Sequence, residues 1–102
     1  MGIELEGICD IEITSTLVDH VFQELAASDQ WVALSSVGSR LVLRFAGHPY
    51  REAWPEDIEL ELGDSKVYVL FHSGGASERE GFLRCLSEVL ASNGVSCKLE
   101  EL

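Results

Sequence analysis

Three histidines and three cysteines are the side chains most able to do chemistry here, and their spacing keeps them apart. His20, His48 and His72 lie far from one another in the chain. None has a second histidine at the one-turn spacing that metal-binding pairs use. Cys9, Cys85 and Cys97 are odd in number and form no C-x-x-C pair. Zinc sites want paired ligands at short spacing and disulfide frameworks want even counts, so these cysteines read as reduced core residues. No basic neighbour stands ready to lower a thiol pKa. A Cys–His pair of Cys9 or Cys85 with His20 would need the fold to bring them together. The chain carries no G-x-S-x-G elbow, no Walker loop and no G-x-G-x-x-G. Gly74-Gly75, ahead of a helix, could cradle an anion, but Glu78 and Glu80 would repel a phosphate. The residues point to no catalytic site, no metal site and no cofactor.

A second set of residues suits recognition better than catalysis. The segment from Gly47 to Glu56 holds Pro49, Tyr50, Arg51, Trp54 and Pro55. Tyrosine, tryptophan and arginine dominate binding hot spots, and loops carry function more often than the scaffold beneath them. Eighteen acids against seven bases give a net charge of −11. Such a domain is repelled by nucleic acid and by anionic membranes. A basic protein partner would be steered toward it, with an on-rate that falls as salt rises. Solubility alone is the plainer account of the same charge.

These side chains need elements to position them. With 102 residues and 46% hydrophobic composition, the chain fits one globular domain, residues 1–102. Residues 3–13 alternate: Ile3, Leu5, Cys9, Ile11 and Ile13 fall on one parity, and Glu4, Glu6, Asp10 and Glu12 on the other. That is a strand with one buried and one polar face. Leu17, Val18, Val21, Phe22 and Leu25 recur at helical spacing over 15–28, with Thr16 and Asp19 resembling a capping box. Two hairpins follow, one turning at Gly38-Ser39 and one at Gly63-Asp64. A two-residue turn at Gly63-Asp64 would set Glu61 opposite Lys66 and Glu59 opposite Tyr68. Ser77 and Glu80 suggest the cap of a second helix over 78–92, stopped at Asn93-Gly94. Val95 to Leu102 alternates as a last strand. The N-terminus shows no secretory signal, and no apolar run is long enough to span a membrane, so the chain reads as cytoplasmic.

The expected order is β-α-β-β-β-β-α-β. Both helices are one-sided, so the fold expected is α+β. Two layers place both helices on one face of a mostly antiparallel sheet, as in a ferredoxin-like variant with an extra hairpin. The other face of the sheet would then be open. It should present Glu4, Glu6, Ile8, Asp10 and Glu12, then Trp31 and Val37, then Arg40, Val42 and Arg44. Asp57, Glu59 and Glu61 continue it, followed by Lys66, Tyr68, Leu70 and His72. The partner-binding candidates are Glu6, Asp10, Glu12, Asp57, Glu59, Glu61 and Tyr68 on this face, with Tyr50, Arg51 and Trp54 in the loop.

In general character the acidic strands and the Tyr50–Trp54 loop resemble the small immunity proteins that bacteria make beside polymorphic or secretion-system toxins. The resemblance implies neutralisation of a basic toxin domain by occlusion, without catalysis. No functional residue carries over by motif. A different class also fits: a small-molecule-sensing regulatory domain of ferredoxin-like type, acting as a homodimer through an edge strand with a pocket near Gly74-Gly75.

Overall fold

The structure, a computed structural model, describes residues 2–49, 51–53 and 55–102. The elements are β1 (Ile3–Ile13), α1 (Ser15–Ala26), β2 (Trp31–Val37), β3 (Arg40–Phe45), β4 (Ile58–Phe71), α2 (Ala76–Ser92) and β5 (Cys97–Glu101). They build an antiparallel sheet in the order β2-β3-β4-β1-β5 with two helices, an α+β fold. The apolar stripe of α1 (Val18, Val21, Phe22, Leu25) and that of α2 (Phe82, Leu86, Leu90) share one core with the buried sheet residues. Both helices therefore cover one face of the sheet. No helix among the described residues is long and apolar enough to cross a membrane.

The β4 run differs from expectation, since one extended element stands where two strands were expected. A straight strand of 14 residues would be about 46 Å long at roughly 3.3 Å per residue. The longest axis of the molecule is 36 Å. The run therefore doubles back. Its ends meet where the His72 N–H donates to the Asp57 carbonyl at 2.8 Å. Its buried residues change parity, from Ile58, Leu60 and Leu62 to Val67, Val69 and Phe71. β3 pairs only with the first arm (Arg40↔Glu61 to Leu43↔Ile58), and Ile3 to Ile8 of β1 pair only with the second, Phe71 to Lys66. The turn is shifted one residue along from Gly63-Asp64: the pairing of Asp57 with His72 centres it on Asp64-Ser65, with Asp64 in the left-handed region at φ 51. The Asp57–His72 pairing sets Glu61 opposite Tyr68 and Glu59 opposite Leu70. Lys66 lies beside Ile8 instead of Glu61.

Several boundaries move for local reasons. Thr14, not Thr16, caps α1, its hydroxyl accepting from the Leu17 N–H at 3.3 Å. α2 begins two residues before the expected start, because Glu78 reaches back to the Gly75 N–H at 3.0 Å and Ser77 is left inside the first turn. The Gly38-Ser39 turn forms as expected, joining Val37 to Arg40 with Gly38 at φ 60. A positive φ at the first of two turn residues matches the strand twist and suits glycine.

Two expectations about the core fail. Trp31 does not lie on the open face. It is buried, its indole Nε1–H donates to the Leu25 carbonyl at 2.7 Å, and its ring meets Phe82 edge-on at 5.2 Å. A buried indole needs an acceptor, and the end of α1 offers one. Cys9 and Cys97 are not reduced. They face each other across β1 and β5 with Cα atoms 4.3 Å apart and form a disulfide across 88 residues of sequence. Sequence spacing could not disclose this pair, because only sheet register makes them neighbours. Cys85 is the free thiol, and burial followed by the charge of Glu88 pushes its pKa up, away from thiolate reactivity.

Candidate functional site

At one end of the sheet, the loop between β3 and β4 meets the start of α2 around Asp57. By strand alternation Asp57 should point out with Glu59 and Glu61. It is instead fully buried, the one charged residue in the core among those described. The cause is local. The Asp57 N–H donates to the Leu43 carbonyl at 2.9 Å, although Leu43 is paired with Ile58. Two residues thus oppose one, the geometry of a bulge, which re-aims a side chain.

The carboxylate accepts from four directions. The Phe45 N–H donates to Oδ2 at 2.9 Å, Arg51 Nη2 to Oδ1 at 2.5 Å, and the Ser73 hydroxyl also to Oδ1. His48 Nδ1 lies 3.0 Å from Oδ2. The other ring nitrogen of His48 lies 3.1 Å from a Glu78 oxygen. Burial alone would raise the Asp57 pKa, but the hydrogen bonds from Ser73, Arg51, Phe45 and His48 outweigh it and hold it below 3.8. The Gly75 N–H, helped by His48, likewise lowers Glu78.

This constellation contains the residue types of a hydrolytic triad without the arrangement. A nucleophilic serine must hand its proton to the histidine. Ser73 donates to Asp57 instead, and both His48 nitrogens are already occupied by carboxylates. The cluster ties β3, the loop, the end of β4 and the start of α2 together. It is a fastener. The Gly74-Gly75 bend holds no anion cradle either. Glu78 takes the Gly75 N–H, and Gly74, at φ 111, packs so closely on Phe45 that a Cβ would lie 2.6 Å from the ring.

A second polar group lies on the open face beside it. Ligand atoms of Glu56, Glu59 and His72 fall within 4.8 Å of one another. Two carboxylates and an imidazole could hold a divalent cation by type. Here Glu59 is already met by the Arg40 guanidinium and by His72 Nε2. A guanidinium in place supplies the positive charge that a cation would bring.

The expected partner-binding residues are only partly brought together. Glu6, Glu59, Glu61 and Tyr68 share the open face, where the Tyr68 hydroxyl donates to Glu4 at 3.0 Å. Burial, then that hydrogen bond, raises the Tyr68 pKa. Asp10 is spent locally, accepting from the Ser96 N–H at 2.8 Å to seat the start of β5. Glu12 is exposed in the irregular part of β1, between the pairs Ile8↔Lys66 and Ile13↔Asp64. Asp57 and Arg51 face each other in the fastener, so the buried Asp57 carboxylate is withdrawn from any partner. Tyr50 and Trp54 lie outside the described residues.

The open face carries the basic groups expected of it, loses the Asp57 carboxylate to the core and gains Lys98. Arg40 and Arg44 share it, and the chain's only two lysines, Lys66 and Lys98, flank Ile8 on the neighbouring strands. The fastener residues His48 and Ser73 were missed as a pair with Asp57. Their one sequence signal is that His48 and Ser73 sit beside the glycines where the chain must turn. Compared with family models, with curated proteins and with solved structures, this chain matches none.

Proposed function

We propose that this protein is a non-catalytic partner-binding domain that neutralises or regulates a basic protein, in the manner of an immunity protein bound to its toxin. The observation that carries the reading is the face of the sheet that neither helix covers. A two-layer fold leaves it open, and it mixes carboxylates with Ile8, 71% exposed, and with the half-buried Tyr68 and Leu70 further along. Apolar groups ringed by charge suit protein recognition. Of the side chains most able to do chemistry, His48 is held in the Asp57 fastener, His72 against Glu59, and Cys9 and Cys97 in their disulfide. The doubled-back β4 lets us read the connectivity as ferredoxin-like with an added hairpin. The expectation of a cytoplasmic protein is set against the Cys9–Cys97 bond, since disulfides persist in oxidising compartments. We favour the latter setting.

The test is affinity capture from source lysate at low and high salt, repeated with Glu12→Lys and Glu61→Lys together. Both side chains are exposed, so the fold should hold. One stoichiometric basic protein, released by salt and lost with the charge reversal, is the expected result. No captured protein at either salt overturns the reading.

A further inference from the structure

β2 is the terminal strand of the sheet, so among the described residues one side of its backbone has no strand beside it. Every second residue of an antiparallel strand turns its N–H and C=O away from its partner. Folded proteins normally blunt such an edge with charge, proline, a bulge or a covering segment; β2 has one irregularity, between Ala33 and Ser35, and pairs with β3 on both sides of it. The sequence of β2 is Trp-Val-Ala-Leu-Ser-Ser-Val, seven residues without a charge or a proline. It exposes Val32 and Val37, the latter at 75%.

The edge is also flanked by a depression on each face of the sheet. On the helix side a hollow of about 230 Å³ is lined by Asp19, Phe22 and Ala26 of α1 together with Ala33, Ser36 and Leu41. On the open side a hollow of about 450 Å³ is lined by Leu34, Val37, Arg40, Pro55, Glu56 and Glu59. A strand laid along β2 would send alternate side chains into one hollow and then the other. That is how strand-addition sites work: backbone bonds supply affinity and alternating pockets supply specificity.

We infer that the outer edge of β2 receives an extended strand from a basic partner protein, with apolar and basic side chains in alternation. Charge selects this occupant. Three carboxylates (Asp19, Glu56, Glu59) line the two hollows against one guanidinium, that of Arg40. A second copy of the chain would bring another −11 to the same edge and be repelled. The inference rests on the proposed binding of a basic partner and adds the place and mode.

The probe is a synthetic peptide alternating valine and lysine. It is titrated into the full chain and followed by amide chemical shifts and hydrogen exchange. Shifts and slowed exchange should centre on β2 and the residues lining the two hollows. Methylating alternate backbone nitrogens of the peptide should abolish binding. A valine–glutamate peptide should bind at least about tenfold more weakly. Val32→Lys and Val37→Lys, which blunt the edge at exposed positions, should each weaken binding, and two separate variants guard against one misfolding. Binding that survives N-methylation, or shifts centred on β5, overturns the edge. Equal binding of both peptides overturns the basic partner while leaving the edge standing. A free protein that is already dimeric, with β2 protected, assigns the edge to a second copy and overturns the proposal.

Discussion

The two flanks of the sheet are fastened by different chemistry. On the β5 flank the chain is tied covalently: Cys9 and Cys97 link β1 to β5, and Lys98, Glu100 and Glu101 put charge on the outer strand. On the flank that leads to β2 the tie is ionic. Asp57 gathers Phe45, His48, Arg51 and Ser73, and His48 carries the connection on to Glu78 at the start of α2. The outer strand of the first edge is charged, and β2 beyond the second fastener carries no charge and has no strand beside it among the described residues. One flank should therefore answer to reductant and the other to acid, and only the second borders a surface ready to accept a strand.

The comparison is broken most forcefully at Asp57. Asp57→Ala would remove the buried acceptor shared by the Arg51 guanidinium, the Ser73 hydroxyl, the His48 imidazole and the Phe45 N–H. Each buried donor left unsatisfied costs about 1–3 kcal/mol, and several lose their acceptor together. Chemical denaturation should show that loss, and hydrogen exchange should show residues 46–57 opening first. If stability is unchanged, the carboxylate is not the fastener. Cys97→Ser, or reduction of the wild type, should cost about 2–4 kcal/mol. The opening should be confined to β5 and its β1 partners, leaving the Asp57 cluster protected. A protein that keeps its stability in reductant would remove the covalent half of the contrast.

Acid gives the smaller and sharper test. Asp57 and Glu78 both have lowered pKa values when folded, from ordinary values of 3.8 and 4.5. A depressed carboxylate contributes stability that is fully present above its unfolded value and is lost as pH falls through the folded one. Stability should hold at neutral pH and decline below about pH 4.5. The decline should show first in residues 46–57 and the start of α2. Asp57→Asn, already uncharged, should flatten the decline, and an unchanged acid profile in that variant would assign the pH dependence elsewhere.

Local pattern carried much of the architecture. The alternation of Ile3, Leu5, Cys9 and Ile13 with Glu4, Glu6, Asp10 and Glu12 marks a half-buried strand, because successive side chains point to opposite faces; Ile11, expected on the buried parity, is exposed where the pairing with β4 is irregular. The stripes of α1 and α2 and the Gly38-Ser39 turn are likewise written in neighbouring residues. The site was legible only in part. Arg51 and Asp57 were both marked as recognition residues, and both turned out to hold the loop in place. One added residue at the Asp57 bulge reverses the direction that alternation assigns.

What the sequence determined by itself is the set of faces: which residues each helix and most strands must bury, and the surplus of negative charge. What only the tertiary structure decided is which distant residues meet. Cys9 found Cys97 through the register of β1 and β5. Trp31 turned inward because the end of α1 offered a carbonyl. Asp57 became a buried anion because a bulge, a loop histidine and a loop arginine converge on it. Periodicity is a property of neighbours along the chain. Pairing across 88 residues depends on sheet register, which no local pattern contains.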